Sequence, residues 1–253
     1  EAGKIGIDRL LYISTDEVFG QLREEGKFSR SSNIAPTQPY SISKAVAQQL
    51  ALGQMKGIGY EIMPPEECGV CPVIVTSCSN NVGPYQYPEK YVPLAITNVH
   101  DGKPIRVYGE GKNVRDWIYV LDNCRGQEAA LLRGEIGKTY LFGGGNEVSN
   151  LELARMILAK MGRPAVIARE EEDPKGEATI HLVGDRPIHD FRYAVDYSDS
   201  TNELDWRPEY ALDRALDETI SWYEKNEWWW RPLKEGARVT YEWGTGAKNG
   251  AER

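Results

Sequence analysis

Leu10-Leu11-Tyr12-Ile13-Ser14-Thr15-Asp16-Glu17 passes from four largely apolar residues straight into hydroxyls and carboxyls. A short apolar run without polar alternation suits a parallel strand buried on both faces. In open α/β sheets the functional groups sit at the carboxyl ends of such strands. Working outward, Pro39 opens a helical stretch from Tyr40 to about Gln54, since proline is welcome in a first turn. Pro72 to Thr76 is a second strand, followed by a loop over 78–90 rich in Asn, Gly, Pro and Tyr. Helices are predicted over 91–101, 122–133, 150–161 and 211–224, with Ser149 or Asn150 as the cap of the third. Strands are predicted over 105–108, 116–120 and 140–142, and 169–190 reads as mostly polar loop. Strands and helices alternate, so the fold class is α/β.

Composition narrows the function classes. The chain has 253 residues and a formal net charge of -8, which argues against a general nucleic-acid binder. Apolar content of 41% with 27% charged residues is globular rather than disordered. No apolar run approaches a membrane span, and no signal peptide is visible. Four cysteines in this length do not make a disulfide scaffold, so a cytoplasmic location is expected. Cys68-Gly69-Val70-Cys71 has no second ligand pair nearby, so no metal site is expected. The aromatic run Trp228-Trp229-Trp230 reads as packing against a domain surface.

Two constellations carry chemistry. Tyr40 and Lys44 stand at i and i+4, on one helix face. An ammonium beside a phenol lowers its pKa, and such a tyrosine can act as a base on a sugar hydroxyl. Ser14-Thr15-Asp16-Glu17 sets two carboxyls beside a hydroxyl, which can serve as acid and base once their environments push them apart. The bland alternatives are a solvated Tyr–Lys pair and a helix cap with acidic first-turn residues. Together, in one α/β frame, the motifs favour catalysis.

Ile13-Ser14-Thr15-Asp16-Glu17-Val18-Phe19-Gly20 and Pro39-Tyr40-Ser41-Ile42-Ser43-Lys44-Ala45 resemble the extended short-chain dehydrogenase/reductases. The run from Cys78 through Asn80 and Pro84-Tyr85-Gln86 to Lys90 resembles the dTDP-glucose 4,6-dehydratase family more specifically. So do Val107-Tyr108-Gly109-Glu110-Gly111 with Arg115-Asp116-Trp117, Asp185-Arg186-Pro187-Ile188-His189-Asp190, and Leu204-Asp205-Trp206-Arg207-Pro208.

The resemblance implies NAD as cofactor and a nucleotide sugar, dTDP-glucose, as substrate. The product would be the 4-keto-6-deoxy sugar, on the route to deoxysugars such as rhamnose. It implies Tyr40 as base at C4, Lys44 on the nicotinamide ribose, Thr15 on the C4 oxygen, Glu17 as base at C5 and Asp16 as acid at C6. Cys78 joins Tyr40 and Lys44 on the cofactor side. Asn80, Lys90, Tyr108, Arg115, Asn150, Arg186 and His189 match positions that hold the nucleotide or its phosphates. The fold implied is a partial NAD-binding Rossmann domain, a doubly wound parallel sheet, with a smaller C-terminal α/β substrate domain. Residues 1–84 and 114–142 fall to the first, 85–113 and 143–243 to the second, and 244–253 to a tail. A homodimer is expected of the full-length protein.

The sequence departs from the pattern in places. The Gly-x-x-Gly-x-x-Gly turn that binds the dinucleotide pyrophosphate does not occur, and Gly143-Gly144-Gly145 has the wrong context. The chain starts Glu1-Ala2-Gly3-Lys4, in mid-element, and the expectation is a fragment that binds NAD weakly or not at all. The interval from Lys44 to Cys78 is longer than the family spacing. Arg106, Tyr91 and Ile188 replace the usual proline, leucine and glycine. The rivals are a UDP-sugar 4,6-dehydratase, an epimerase or decarboxylase of the same superfamily, and a remnant that only binds nucleotide sugar. Asp16-Glu17 favours dehydration, since eliminating water needs both an acid and a base.

Overall fold

The computed structural model describes residues 6–55 and 71–236. Its strands are β1 (Leu10–Ile13), β2 (Val73–Cys78), β3 (Asn80–Val82), β4 (Ile105–Tyr108), β5 (Val114–Tyr119), β6 (Thr139–Phe142), β7 (Glu147–Ser149), β8 (Ile167–Arg169) and β9 (Ile180–Val183). Its α-helices are α1 (Pro39–Met55), α2 (Tyr91–His100), α3 (Val120–Arg133), α4 (Asn150–Lys160), α5 (Ser198–Leu204), α6 (Leu212–Lys225) and α7 (Glu227–Gly236). The described residues form two compact units. The first holds residues up to Val82, Val114–Glu147 and Asp190–Ala215; the second holds Gly83–Asn113, Val148–His189 and the residues from Leu216 onward.

In the first unit β1, β2 and β6 form a parallel sheet in that order, with Leu11 opposite Ile74 and Thr76 opposite Tyr140. The pleat explains why β2 is apolar without alternation: successive side chains point to opposite faces, and both faces are covered. Ile74 joins Ile118, Ala130, Tyr140, Phe142 and Trp206, while Val73 and Val75 pack with Leu10, Tyr12, Ala51 and Leu52. All three are fully buried, each side chain contributing about 1.5–3 kcal/mol. β3 pairs in parallel with β5, Asn80 opposite Trp117. This short strand lies inside the predicted 78–90 loop, because three residues are too few to show a period.

The stretch 190–215, assigned from sequence to the second domain, packs in the first unit. It bridges the early loop at Leu22↔Arg192 and Phe28↔Val195. Ser200 Oγ donates to the Leu141 carbonyl (2.6 Å), and Trp206 meets the Phe142 ring edge-on at 4.7 Å. These partners are more than fifty residues away in sequence, so no local signal announces them. Asn146 donates its backbone N–H to Asp116 of β5 (2.7 Å), which likewise brings 143–147 into the first unit.

In the second unit β4, β9 and β8 form another parallel sheet, Ile105 opposite Ile180 and Ile167 opposite Ile180. β8 and β9 lie within or beside the predicted polar loop; they are three and four residues long, and β8 is largely exposed. Ser149 caps α4 by accepting from the Glu152 N–H. In α7 Trp230 is buried and donates to the Tyr223 carbonyl (2.8 Å), whereas Trp228 stays exposed, so only part of the aromatic run packs inward. The predicted 244–253 tail, and Cys68 of the Cys-x-x-Cys run, lie outside the described residues. Among the described residues Cys71 is a free buried thiol and no metal-holding group occurs. None of their helices is long and apolar enough to cross a membrane.

Candidate active site

β1 ends at Ile13, and the Ser14 N–H donates to the Thr76 carbonyl (2.7 Å), extending the β1–β2 ladder one residue past the strand. The chain then turns into a 3-10 helix, Asp16–Phe19, with Thr15 as its cap: Oγ1 accepts from the Glu17 N–H at 3.4 Å. That turn sends the two carboxyls to different environments. Asp16 is 3% exposed, with one carboxylate oxygen taking Thr15 Oγ1 (3.4 Å) and the other without a partner; Glu17 is half-buried. Burial first, then the Glu17 and Asp116 charges, push the Asp16 carboxyl up to about 8. Asp16 is therefore a protonated acid at neutral pH. Gly20 ends the turn at φ +84, where a Cβ would stand 2.5 Å from the Ala35 carbonyl oxygen.

α1 carries Tyr40 and Lys44. Lys44 Nζ donates to the Ile13 carbonyl at 2.7 Å and lies 5.1 Å from the centre of the Tyr12 ring, so it fastens the helix to the end of β1. The Tyr40 pKa is raised, not lowered as the Tyr40–Lys44 spacing predicts. Desolvation, then the Glu17, Cys78 and Asp16 charges, raise it, while the ammonium bonds the Ile13 carbonyl and faces the Tyr12 ring. Cys78, at the end of β2, accepts from Asn81 (3.3 Å) and Asn123 (3.5 Å); burial pushes the thiol up to about 11, so it is an unreactive neighbour. Asn80 begins β3 with its side-chain oxygen buried and unpartnered.

Arg115, expected at a phosphate, is held among backbone carbonyls. Its guanidinium donates to the backbone carbonyls of Val114 (2.7 Å), Asp190 (2.8 Å) and Phe191 (3.2 Å), and lies 4.5 Å from the centre of the Tyr193 ring. It ties β5 to the returning segment. Nor does Arg115 pair with its neighbour Asp116, which instead accepts the N–H groups of Gly144 (3.1 Å) and Asn146 (2.7 Å).

The second unit gathers three of the expected nucleotide contacts. Tyr108 ends β4; the Arg186 guanidinium lies 4.4 Å from the centre of its ring and the His189 ring stands edge-on at 6.2 Å. Asp185 holds both, accepting from the Arg186 N–H (2.8 Å) and meeting His189 Nδ1 (2.7 Å). Gly109, at φ +58, leaves room for that carboxylate, which a Cβ would meet at 2.9 Å. Lys90, exposed and 3.3 Å from Glu89, immediately precedes α2 at its cap position. The neighbouring Tyr91 hydroxyl donates to the Asn150 carbonyl at 2.7 Å, so Asn150 contributes its backbone there. In the first unit, Asp190, Tyr193 and Asp116 also build the region around Arg115; Asp190 closes the Asp185–Asp190 motif and Asp116 sits in another, but no residue spacing signals their contacts.

A parallel-sheet α/β protein with Tyr-x-x-x-Lys on the helix after a Thr-Asp-Glu turn is the class this geometry defines. The chain belongs to the family described as GDP-mannose 4,6 dehydratase, whose profile matches residues 2–219. It is 41% identical over 239 residues to a dTDP-glucose 4,6-dehydratase of Streptomyces niveus, covering 94% of this chain and 64% of that relative. Among solved structures it is similar to dTDP-glucose 4,6-dehydratase from Bacillus anthracis in complex with NAD (TM-score 0.75, 43% identity, 89% of this chain and 64% of that one). It is also similar to the Streptomyces venezuelae enzyme of the same name, solved with NAD bound (TM-score 0.80, 36% identity, 92% and 65%). The chain thus spans less than two-thirds of the length of these relatives.

Proposed function

We propose that this chain carries the acid–base and nucleotide-sugar residues of an NAD-dependent dTDP-glucose 4,6-dehydratase, a hydro-lyase. The observation that carries the reading is the split between two adjacent carboxyls: Asp16 is buried with its carboxyl pushed up to about 8, and Glu17 is half-buried beside it. Dehydration across C5–C6 needs an acid and a base at the same moment, which an epimerase or a decarboxylase does not require.

The described residues fit the nicotinamide end of NAD. Buried Ser14 Oγ, beside the end of β1, and Asn80 Oδ1, at the start of β3, lack protein partners, and Lys44 Nζ has donors beyond its bond to Ile13. Tyr40, Lys44 and Ser14 would hold that end; the cofactor supplies the acceptor for hydride from C4 and its return to C6. Tyr40 takes the C4 hydroxyl proton in its phenolate form, the minor form while burial and the nearby charges hold its pKa up, and Thr15 hydrogen-bonds the C4 oxygen. Glu17 removes the C5 proton, which the C4 carbonyl acidifies, and a solvent-derived proton is delivered back to C5 as hydride reaches C6. Asp16 gives its proton to the C6 hydroxyl, which leaves as water. Tyr108, Arg186 and His189 supply an aromatic face and cationic or polar edges for the nucleotide. We further expect a cytoplasmic homodimer; the exposed Ile42, Val46 and Leu50, one helical turn apart on α1, support self-association.

The test is turnover of dTDP-glucose with added NAD in D2O, read by mass. Loss of one water with one deuterium gained at C5 is expected. D16N should retain C5 exchange but not lose water, and E17Q should do neither. An unchanged sugar with the unsubstituted chain overturns the reading for this chain, and dTDP binding without turnover would leave nucleotide-sugar binding alone.

A further inference from the structure

Asp190 is 3% exposed and accepts from several side chains at once. Thr37 Oγ1 donates to both of its oxygens (3.0 and 2.9 Å), Gln38 Nε2 donates at 3.0 Å, and the Tyr193 hydroxyl makes a short bond. Its own carbonyl takes the Arg115 guanidinium at 2.8 Å, and that guanidinium also covers the Tyr193 ring. The residues on the far side of this cluster are not arbitrary. Gln38 immediately precedes α1; its carbonyl accepts the Ile42 N–H (2.8 Å) and Ser41 Oγ (3.0 Å), and its N–H donates to Ser41 Oγ (3.1 Å). Gln38 is thus held by the helix through its main chain and by Asp190 through its side chain. Tyr40 stands two residues further on.

We infer that Asp190 is a positioning residue for Tyr40: a buried carboxylate that clamps the start of α1 to the Arg115–Tyr193 side of β5. This deepens the reading of Tyr40 as the C4 base and depends on it. Tyr40 is 55% exposed, so packing of its ring does little to place it. Its position is set by where α1 begins and by the Lys44 bond to Ile13 one turn later. A clamp at one end of that turn and an ammonium at the other define the phenol's place. An error of about 1 Å at a reacting group costs roughly a hundredfold in rate, so a remote carboxylate can matter this much.

Hydrogen exchange by mass spectrometry on the full chain tests the clamp without turnover. In D190A, exchange over 37–44 should speed up at least about tenfold while the β2 core around Val73–Val75 keeps its protection. The pair T37V/Q38A, which leaves Asp190 in place, should reproduce that pattern. D190N should recover part of it, since the Gln38 amide can turn over to meet an amide partner. Where the unsubstituted chain turns over, D190A should lower kcat about a hundredfold with KM for the sugar within about twofold. Unchanged exchange over 37–44, or protection lost evenly across the first unit, overturns the proposal. So does a KM rise at constant kcat. An unsubstituted chain without turnover counts against the proposed function, and the exchange comparison still decides the clamp.

Discussion

Replacing Asp16 by asparagine should flatten the pH dependence of folding stability, and the structure sets the size of the effect. In the folded chain the carboxyl is held up to about 8, because the 3-10 turn buries it beside Glu17 and within reach of the Asp116 charge. In the unfolded chain it titrates near 3.9. Between those values the folded state keeps a proton that the unfolded state gives up. The stabilising effect of the raised pKa is therefore complete below about pH 4 and is lost progressively as pH rises to about 8. Each unit of difference is worth about 1.36 kcal/mol, so going from pH 4 to pH 7 costs about 4 kcal/mol through this group alone. D16N removes that slope. Its amide faces the same unpartnered pocket at every pH, so any packing penalty shifts the whole curve without tilting it. Urea unfolding of both proteins at pH 5, 6, 7 and 8 provides the comparison. Wild-type stability should fall over this range by several kcal/mol more than that of D16N. Parallel curves would mean that Asp16 is ionised in the folded chain, and the acid role assigned to it would fail.

Other substitutions probe other parts of the argument. Gly20→Ala puts a Cβ against the Ala35 carbonyl at a positive φ, and should lower unfolding free energy by about 2–4 kcal/mol in urea titrations. Arg115→Lys loses the fork that serves three carbonyls and the face of Tyr193, and should cost about 1–3 kcal/mol of stability with no nucleotide present; unchanged melting with weakened dTDP binding would restore its phosphate role. Arg186→Ala removes the cation over Tyr108, and calorimetry should show dTDP binding about tenfold weaker, with the melting temperature little changed.

What the sequence determined by itself is what short-range chemistry controls. The unalternated run Val73–Val75 announces a strand covered on both faces, whereas Leu10–Ile13, read the same way, is a strand that is only partly buried, with Ile13 exposed. Tyr40 and Lys44 share a helix face because 3.6 residues make a turn. Ser149 is legible as the cap of α4 because its hydroxyl meets an N–H only three residues on. Longer motifs, such as Asp185–Asp190, were legible as resemblance. Tertiary structure decided the rest, because charge and burial depend on neighbours far along the chain. Adjacent Asp16 and Glu17 are equivalent carboxyls in sequence and unequal only once the turn buries one of them. Lys44 was expected to lower the Tyr40 pKa, but its ammonium faces Ile13 and Tyr12, which no spacing rule specifies. Arg115 reads as a phosphate ligand in sequence, and only the fold shows that 190–191 returns to take part of its guanidinium. β3, β8 and β9, three or four residues each, are too short for a period and exist because a neighbouring strand supplies their hydrogen bonds. Asp190 becomes meaningful only when a chain 152 residues upstream brings Gln38 against it, since a clamp is a property of two surfaces and sequence displays one at a time.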